Sequence, residues 1–251
     1  MALSTHLRKI VGLLEKGSTE EAIAAAVVLG ALAPKETKVV EALSRSLRRQ
    51  DNLPLALASA RALGRIGNAA ALRALLPLLE ADSDRRETGA LAIAGCGRAA
   101  LPAVRKALGE ADFATRSVIY RILARMHTAE ALRLVLGAFF DRNFEIVKIA
   151  GRALRGEVGA MTAAERRAAA KTSLAFLKSK EVRESRPATN SVLIYLGALA
   201  HPDAVTALLR YTDPTHSRAT RRHALTGLRH TLLEARVPAK VVETLFLSLI
   251  H

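Results

Sequence analysis

The sequence predicts an all-α fold, an α-solenoid of antiparallel helix pairs with about seven repeats over residues 1–251. Three observations carry this. A short step recurs in which an apolar residue is followed, in most copies, by a small one. It stands at Leu29-Gly30, Leu63-Gly64, Ile93-Ala94, Leu123-Ala124, Leu154-Arg155, Leu196-Gly197 and Leu225-Thr226, at spacings of 34, 30, 30, 31, 42 and 29 residues. Each step closes an apolar helix and is followed by a break and a second helix. Half of the residues are hydrophobic, yet 4% are aromatic and none is Trp, so the core is built of Leu, Ala and Val in closely packed helices. No segment alternates with a period of two, so no strand is expected.

The elements follow in order. Leu3, Leu7, Ile10, Val11 and Leu14 make one apolar stripe, a first helix that caps the stack, with Arg8, Lys9 and Glu15 free to face water. Ser18 with Glu21, and Thr162 with Glu165, have capping-box spacing. Asn68, Thr128 and Asn143 stand where N-caps are wanted. Pro34, Pro54, Pro187, Pro202, Pro214 and Pro238 fall at or near helix starts, where a missing N–H is harmless. Gly67-Asn68 is a turn between units, and Ala69 to Ala81 is the next first helix, kinked at Pro77. An irregular longer unit lies around 156–190, with the turn "GEVGAMT", a long helix from Ala163 to about Lys178, and the charged stretch "KSKEVRESR". The C-terminal "VVETLFLSLIH" is apolar nearly all round, through Val241, Val242, Leu245, Phe246, Leu247, Leu249 and Ile250. A solenoid's last unit needs a polar outer face. This end is therefore expected to continue into a longer natural chain or to dock, self-association through the apolar helix included.

Charge narrows the partners. Lys and Arg total 38 against 23 Asp and Glu, a formal net charge of +15, and 28 of the 38 are Arg. That balance suits an anionic partner: nucleic acid, an acidic protein or a membrane surface. It equally suits solvated faces on which Arg is used freely. Cys96 is the single cysteine, which excludes an intrachain disulfide and a Cys-based metal cluster, and a reducing, cytoplasmic setting fits. The N-terminus lacks a signal-peptide h-region. The longest apolar run, Ala22 to Ala33, is 12 residues, short of the roughly 20 that span a membrane.

Two segments, "GNAAALRALLPLLEADSDRRETGALAIAGCG" and "GRAALPAVRKALGEADFATRSVIYRILARM", resemble consecutive bacterial HEAT repeats of the phycobilisome-lyase-like type. They share the helix prolines Pro77 and Pro102 and the inner-turn aspartates Asp82, Asp84 and Asp112. Arg86, Arg116 and Arg218 each lie seven residues before the step residue. The resemblance covers Leu53 to Arg155 most strongly. It implies a right-handed HEAT/armadillo-like superhelix, arginines that contact the inter-repeat turns, and a binding or scaffolding role. The motif speaks to fold and is almost silent on function.

No catalytic set emerges, and no cofactor is expected. There is no P-loop, no GxSxG elbow and no His-Glu dipeptide of the HEAT-type di-iron hydroxylases. His216, His223 and His230 share one face of the last helix but one at i, i+7 and i+14, too far apart to chelate one metal. Cys96, in "GCG", reads as a small buried thiol.

The candidate binding residues are arginines two positions from the step leucines. Arg61 and Arg65 flank Leu63, Arg121 and Arg125 flank Leu123, and Arg152 precedes Leu154 with Arg155 nearby. Two residues is about 200° of helix rotation, so they point away from the core. The resemblance places second helices on the concave surface, which makes these residues a basic column along an inner groove. Leu91 and Gly95 interrupt it, and Arg222 and Arg229 extend it towards the C-terminus. Two function classes remain open. One is a non-enzymatic scaffold or adaptor for a protein partner, acidic by charge. The other is a nucleic-acid-binding protein that grips backbone phosphates; with no Trp, base stacking has little platform.

Overall fold

The computed structural model describes residues 4–49, 51–81 and 83–235, and these are helical with no strand among them. The chain divides into two compact units, 1–122 and 123–251. The apolar C-terminal helix expected after Pro238 lies outside the described residues, as do Leu3 and Asp82.

In the first unit, α1 (Thr5–Lys16) pairs with α2 (Thr19–Leu32), and α3 (Thr37–Leu47) pairs with α4 (Leu53–Ile66). Next come α5 (Ala69–Leu75), a 3-10 turn at Leu76–Glu80, and α6 (Ser83–Gly95). A second 3-10 turn, Gly97–Ala100, runs into α7 (Leu101–Glu110), and α8 (Phe113–Arg125) crosses the division between the units. The first helices α1, α3 and α5 form one row; α2, α4 and α6 form the other. In the second unit α9 (Ala129–Gly137) and a 3-10 turn at Ala138–Phe140 precede α10 (Phe144–Glu157). Then follow α11 (Ala163–Leu177), α12 (Lys180–Glu184), α13 (Arg186–Leu199), α14 (Val205–Arg210) and α15 (Arg218–Glu234). Here α13 packs on α10, α11 and α15. The stretch read as an irregular longer unit holds the long α11 and the single turn of α12, which is pinned by the buried Val182 and by Thr189 Oγ1 donating to the Val182 carbonyl at 2.7 Å.

Local chemistry sets the boundaries. Both capping boxes are formed, Ser18 with Glu21 and Thr162 with Glu165. Asn68, Thr128 and Asn143 accept from the backbone N–H groups of Ala71, Ala131 and Glu145. Gly67, with φ of 61°, closes α4 in the left-handed conformation that glycine tolerates. The helix expected from Ala69 to Ala81 is two pieces. Pro77 has no N–H for the Arg73 carbonyl, and the chain tightens to a 3-10 turn from Leu76. Pro102 instead takes the second position of α7, where the N–H is not required. Pro34 stands outside any helix, between the left-handed Ala33 that ends α2 and the start of α3.

The recurring step has a packing cause. Leu29, Leu63, Ile93, Leu123, Leu154 and Leu196 are all buried, each contributing about 1.5–3 kcal/mol of apolar burial. The small residue that follows lets the next second helix close in. A Cβ on Gly64 would lie 2.7 Å from the Ala92 Cα, and one on Gly30 would lie 2.9 Å from the Ala62 Cα. Gly197 meets Gly227 in the same way. The residue met is always the one just before the next buried step residue: Ala62 before Leu63, Ala92 before Ile93, Gly227 before Leu228.

That rule corrects the last step. Leu225 is 51% exposed, whereas Leu228 is 7% exposed and follows Gly227. The step therefore falls at Leu228, and the arginine seven residues before it is Arg221, not Arg218. Arg218 is exposed at the first position of α15.

Candidate partner-binding surface

The arginines singled out from the sequence fall into three states. Arg61 and Arg65 project from α4 one turn apart, exposed, and make no ion pair among the described residues. The Arg65 stem crosses the α2–α4 seam, its Cδ 3.6 Å from where a Gly30 Cβ would sit. Arg121 and Arg125 are neutralised: Arg121 Nη1 lies 2.8 Å from Glu87 Oε2 on α6, and Arg125 Nε donates to Glu157 Oε1 on α10 at 3.0 Å. Arg152 and Arg155 sit side by side on α10. Partial burial, and then the like charge of Arg152, hold Arg155 below the usual arginine range.

The C-terminal extension through Arg222 and Arg229 is not on this stripe. With the step at Leu228, the flanking positions are Thr226 and His230; on α13, around Leu196, they are Ile194 and Ala198. The basic column expected along the array therefore reduces to Arg61 and Arg65 as unpaired charges in the first unit, and Arg152 with Arg155 in the second.

On α2 and α6 the two positions that hold Arg61 and Arg65 are apolar. They are Val27 and Ala31 on α2, and Leu91 and Gly95 on α6. Val27 is 53% exposed and Leu91 39%. Three adjacent helices thus present an apolar, then a basic, then an apolar strip.

The turn arginines tie the repeats internally. Arg86 donates through Nε and Nη2 to the Ala81 carbonyl at 3.0 and 2.7 Å, and its charge helps hold the Asp112 carboxyl below its usual range. The larger cause there is the Thr115 backbone N–H that Asp112 accepts at 2.8 Å. Its neighbour Arg85 reaches back to the Arg49 carbonyl at 3.1 Å, joining two repeats. Arg166, which sequence reasoning missed, does for α11 what Arg86 does for α6, donating to the Val158 carbonyl at 3.1 Å. Arg116 sits half-buried on the first turn of α8. Arg221 is half-buried, with its Nε buried and without an acceptor.

The histidines separate. His216 lies in the turn before α15, outside the helix, and stacks on Tyr211 with ring centroids 4.7 Å apart. Burial, and then Arg222, hold His223 below the usual imidazole range. His230 Nδ1 lies 3.0 Å from the Gly197 carbonyl, which can only accept, so that nitrogen carries the proton. His127, in the left-handed turn before α9, stands between Glu157 at 3.5 Å and Glu165 at 3.4 Å. Its Nε2 and the Tyr195 hydroxyl are both buried without a hydrogen-bond partner, and both residues line one small apolar cavity. Cys96 is buried, its Sγ 3.4 Å from the Ala92 carbonyl, and burial pushes the thiol up to about 11. Among the described residues no group of three or more His, Cys, Asp or Glu could hold a metal ion, and no helix is long and apolar enough to cross a membrane.

The arrangement is that of a helical-repeat protein with a HEAT-like stacking of helix pairs. No family model and no curated protein sequence matches the chain. Solved structures are similar to it. A structure of the complex of CpcE and CpcF of phycocyanin lyase from Nostoc sp. PCC7120 matches at 20% identity and a TM-score of 0.44, over 97% of this chain and 95% of that one. Human deoxyhypusine hydroxylase in complex with glycerol matches at 18% identity and a TM-score of 0.41, over 93% and 86%. An engineered protein matches at 18% identity and a TM-score of 0.33, over 92% and 98%. Likeness of this degree carries no statement about a site, substrate or partner.

Proposed function

We propose that the chain is a non-enzymatic HEAT-repeat adaptor, one array over residues 1–251 of the phycobilisome-lyase-like bacterial type, which binds an acidic protein in the cytoplasm. The observation that carries this reading is the pair Arg61 and Arg65, exposed and unpaired between the apolar Val27 and Leu91. Arginine beside exposed apolar side chains is the composition of protein interfaces, where guanidinium groups anchor and apolar groups exclude water. A duplex-gripping surface would instead carry a continuous basic tract along a phosphate backbone. Here the carboxylates of Glu87 and Glu157 already occupy two of the six arginines.

A photo-crosslinking amino acid in place of Leu57 tests the reading in the native cell. Leu57 is half-buried and stands one turn before Arg61 on the same stripe of α4, so an apolar crosslinker of similar bulk suits the position. The expected adduct is a protein, absent when the crosslinker stands at the exposed Glu41 on α3. Nucleic-acid adducts at position 57, or equal adducts at both positions, would overturn it.

A further inference from the structure

We infer that the outer face of α2, α4 and α6 receives one amphipathic helix of an acidic protein, laid across the three helices with two carboxylates over Arg61 and Arg65. This rests on the adaptor reading and specifies its partner. The geometry starts from equivalence. Val27, Arg61 and Leu91 occupy one position of three successive second helices; Ala31, Arg65 and Gly95 occupy the next one outward, four residues on. The helices touch through Gly30 against Ala62 and Gly64 against Ala92, so neighbouring axes lie near the close end of helix packing, about 8 Å apart. Val27 and Leu91 are then separated by roughly 16 Å, with the arginine pair midway. Arg61 and Arg65 are themselves about 6 Å apart along α4.

A crossing helix matches this strip with apolar residues eleven positions apart, since about 1.5 Å of rise per residue spans roughly 16 Å. Eleven residues is also a near-whole number of turns, so both apolar residues point down. Carboxylates at the fifth and eighth positions of that repeat fall on the same face, midway. Each guanidinium can then take one carboxylate as a bidentate pair. The net charge of +15 steers such an acidic chain towards this protein before contact. Glu87, already held by Arg121, stands one turn before Leu91 on α6 and repels a second carboxylate there, so it sets the register of the incoming acids.

The probe is a labelled helical peptide with Leu at positions 1 and 12 and Glu at 5 and 8, followed by fluorescence anisotropy on the full chain. Binding should weaken at least tenfold with Arg61→Glu and Arg65→Glu together, and likewise with a peptide carrying Gln at both acidic positions. It should return when the double variant meets a peptide with Lys at 5 and 8. Leu91→Ser should weaken it several-fold, without loss of helicity by circular dichroism. Binding indifferent to the arginine reversal, or no charge-swapped recovery, would overturn the inference. If the peptide fails while protein adducts still form at position 57, the adaptor reading stands and this partner geometry falls. If neither occurs, both fall.

Discussion

Gly64→Ala should destabilise the first unit, although alanine is the better helix former. The added Cβ would lie 2.7 Å from both the Cα and the carbonyl oxygen of Ala92, and 3.0 Å from its Cβ. Ordinary carbon contacts are about 3.5–4.0 Å, so α4 and α6 must part by roughly 1 Å. Two of those three neighbours are backbone, and no rotamer change relieves them. Helix propensity returns about 0.5–1 kcal/mol. Overpacking costs about 1–3 kcal/mol, and the loosened seam adds to it. The net expectation is a loss of about 1–2 kcal/mol. Gly12→Ala, in the middle of α1 with nothing within 4 Å of its Cβ, should gain the propensity alone. Urea unfolding followed by far-ultraviolet circular dichroism reads both as midpoint shifts of opposite sign at unchanged slope. Hydrogen exchange should place the Gly64→Ala loss in α4 and α6. A Gly64→Ala protein as stable as the parent, with Gly12→Ala stabilised, would show that the glycine does not set the helix spacing.

Arg86→Ala should cost about 1–3 kcal/mol, since it strands the Ala81 carbonyl that accepts two guanidinium bonds, while Arg218→Ala should change stability by less than about 0.5 kcal/mol; equal losses by thermal denaturation would refute the reassignment of the turn arginine. Glu87→Gln releases Arg121 from its ion pair, and stronger retention on a sulfated polyanion column at low salt is the expected result; unchanged retention would mean that Arg121 is not available on the face. Cys96 should react with a thiol reagent at pH 8 only in urea. Burial raises its folded thiol to about 11 from an ordinary value near 9.0, so the unfolded chain loses its proton first and stability falls as pH rises through about 9 to 11. Cys96→Ala should flatten that slope, and a slope identical in both proteins would count against burial as the cause.

What the sequence shows about this fold follows the range of the interactions. Caps lie within four residues, and Ser18, Thr162, Asn68, Thr128 and Asn143 all do what their spacing suggests. Pro77 announced a break but not its form, because a kink and a 3-10 turn begin from the same missing N–H. The slip from Leu228 to Leu225 has a different origin. Leucines three apart in α15 satisfy one helical period equally, and only the approach of Gly227 to Gly197, thirty residues earlier, chooses between them. The candidate surface was legible in part. Outward direction follows from helix rotation and picks out Arg61 and Arg65. The carboxylates that neutralise Arg121 and Arg125 stand on other helices, Glu87 34 residues away and Glu157 32, and helix-to-helix register is not written in either local segment.

The position that is Ala62 in α4, Ala92 in α6 and Gly227 in α15 is large in three other helices: Ile122 in α8 and Tyr195 in α13 are buried there, whereas Val28 in α2 is exposed. A glycine-bearing helix seats tightly only against a small residue, and the branched methyls of Val28 hold any newcomer off by about a methyl diameter. Along one row the seat therefore changes in kind: α4 and α6 offer small residues against which a glycine can close, and α2 offers a ridge of methyl groups.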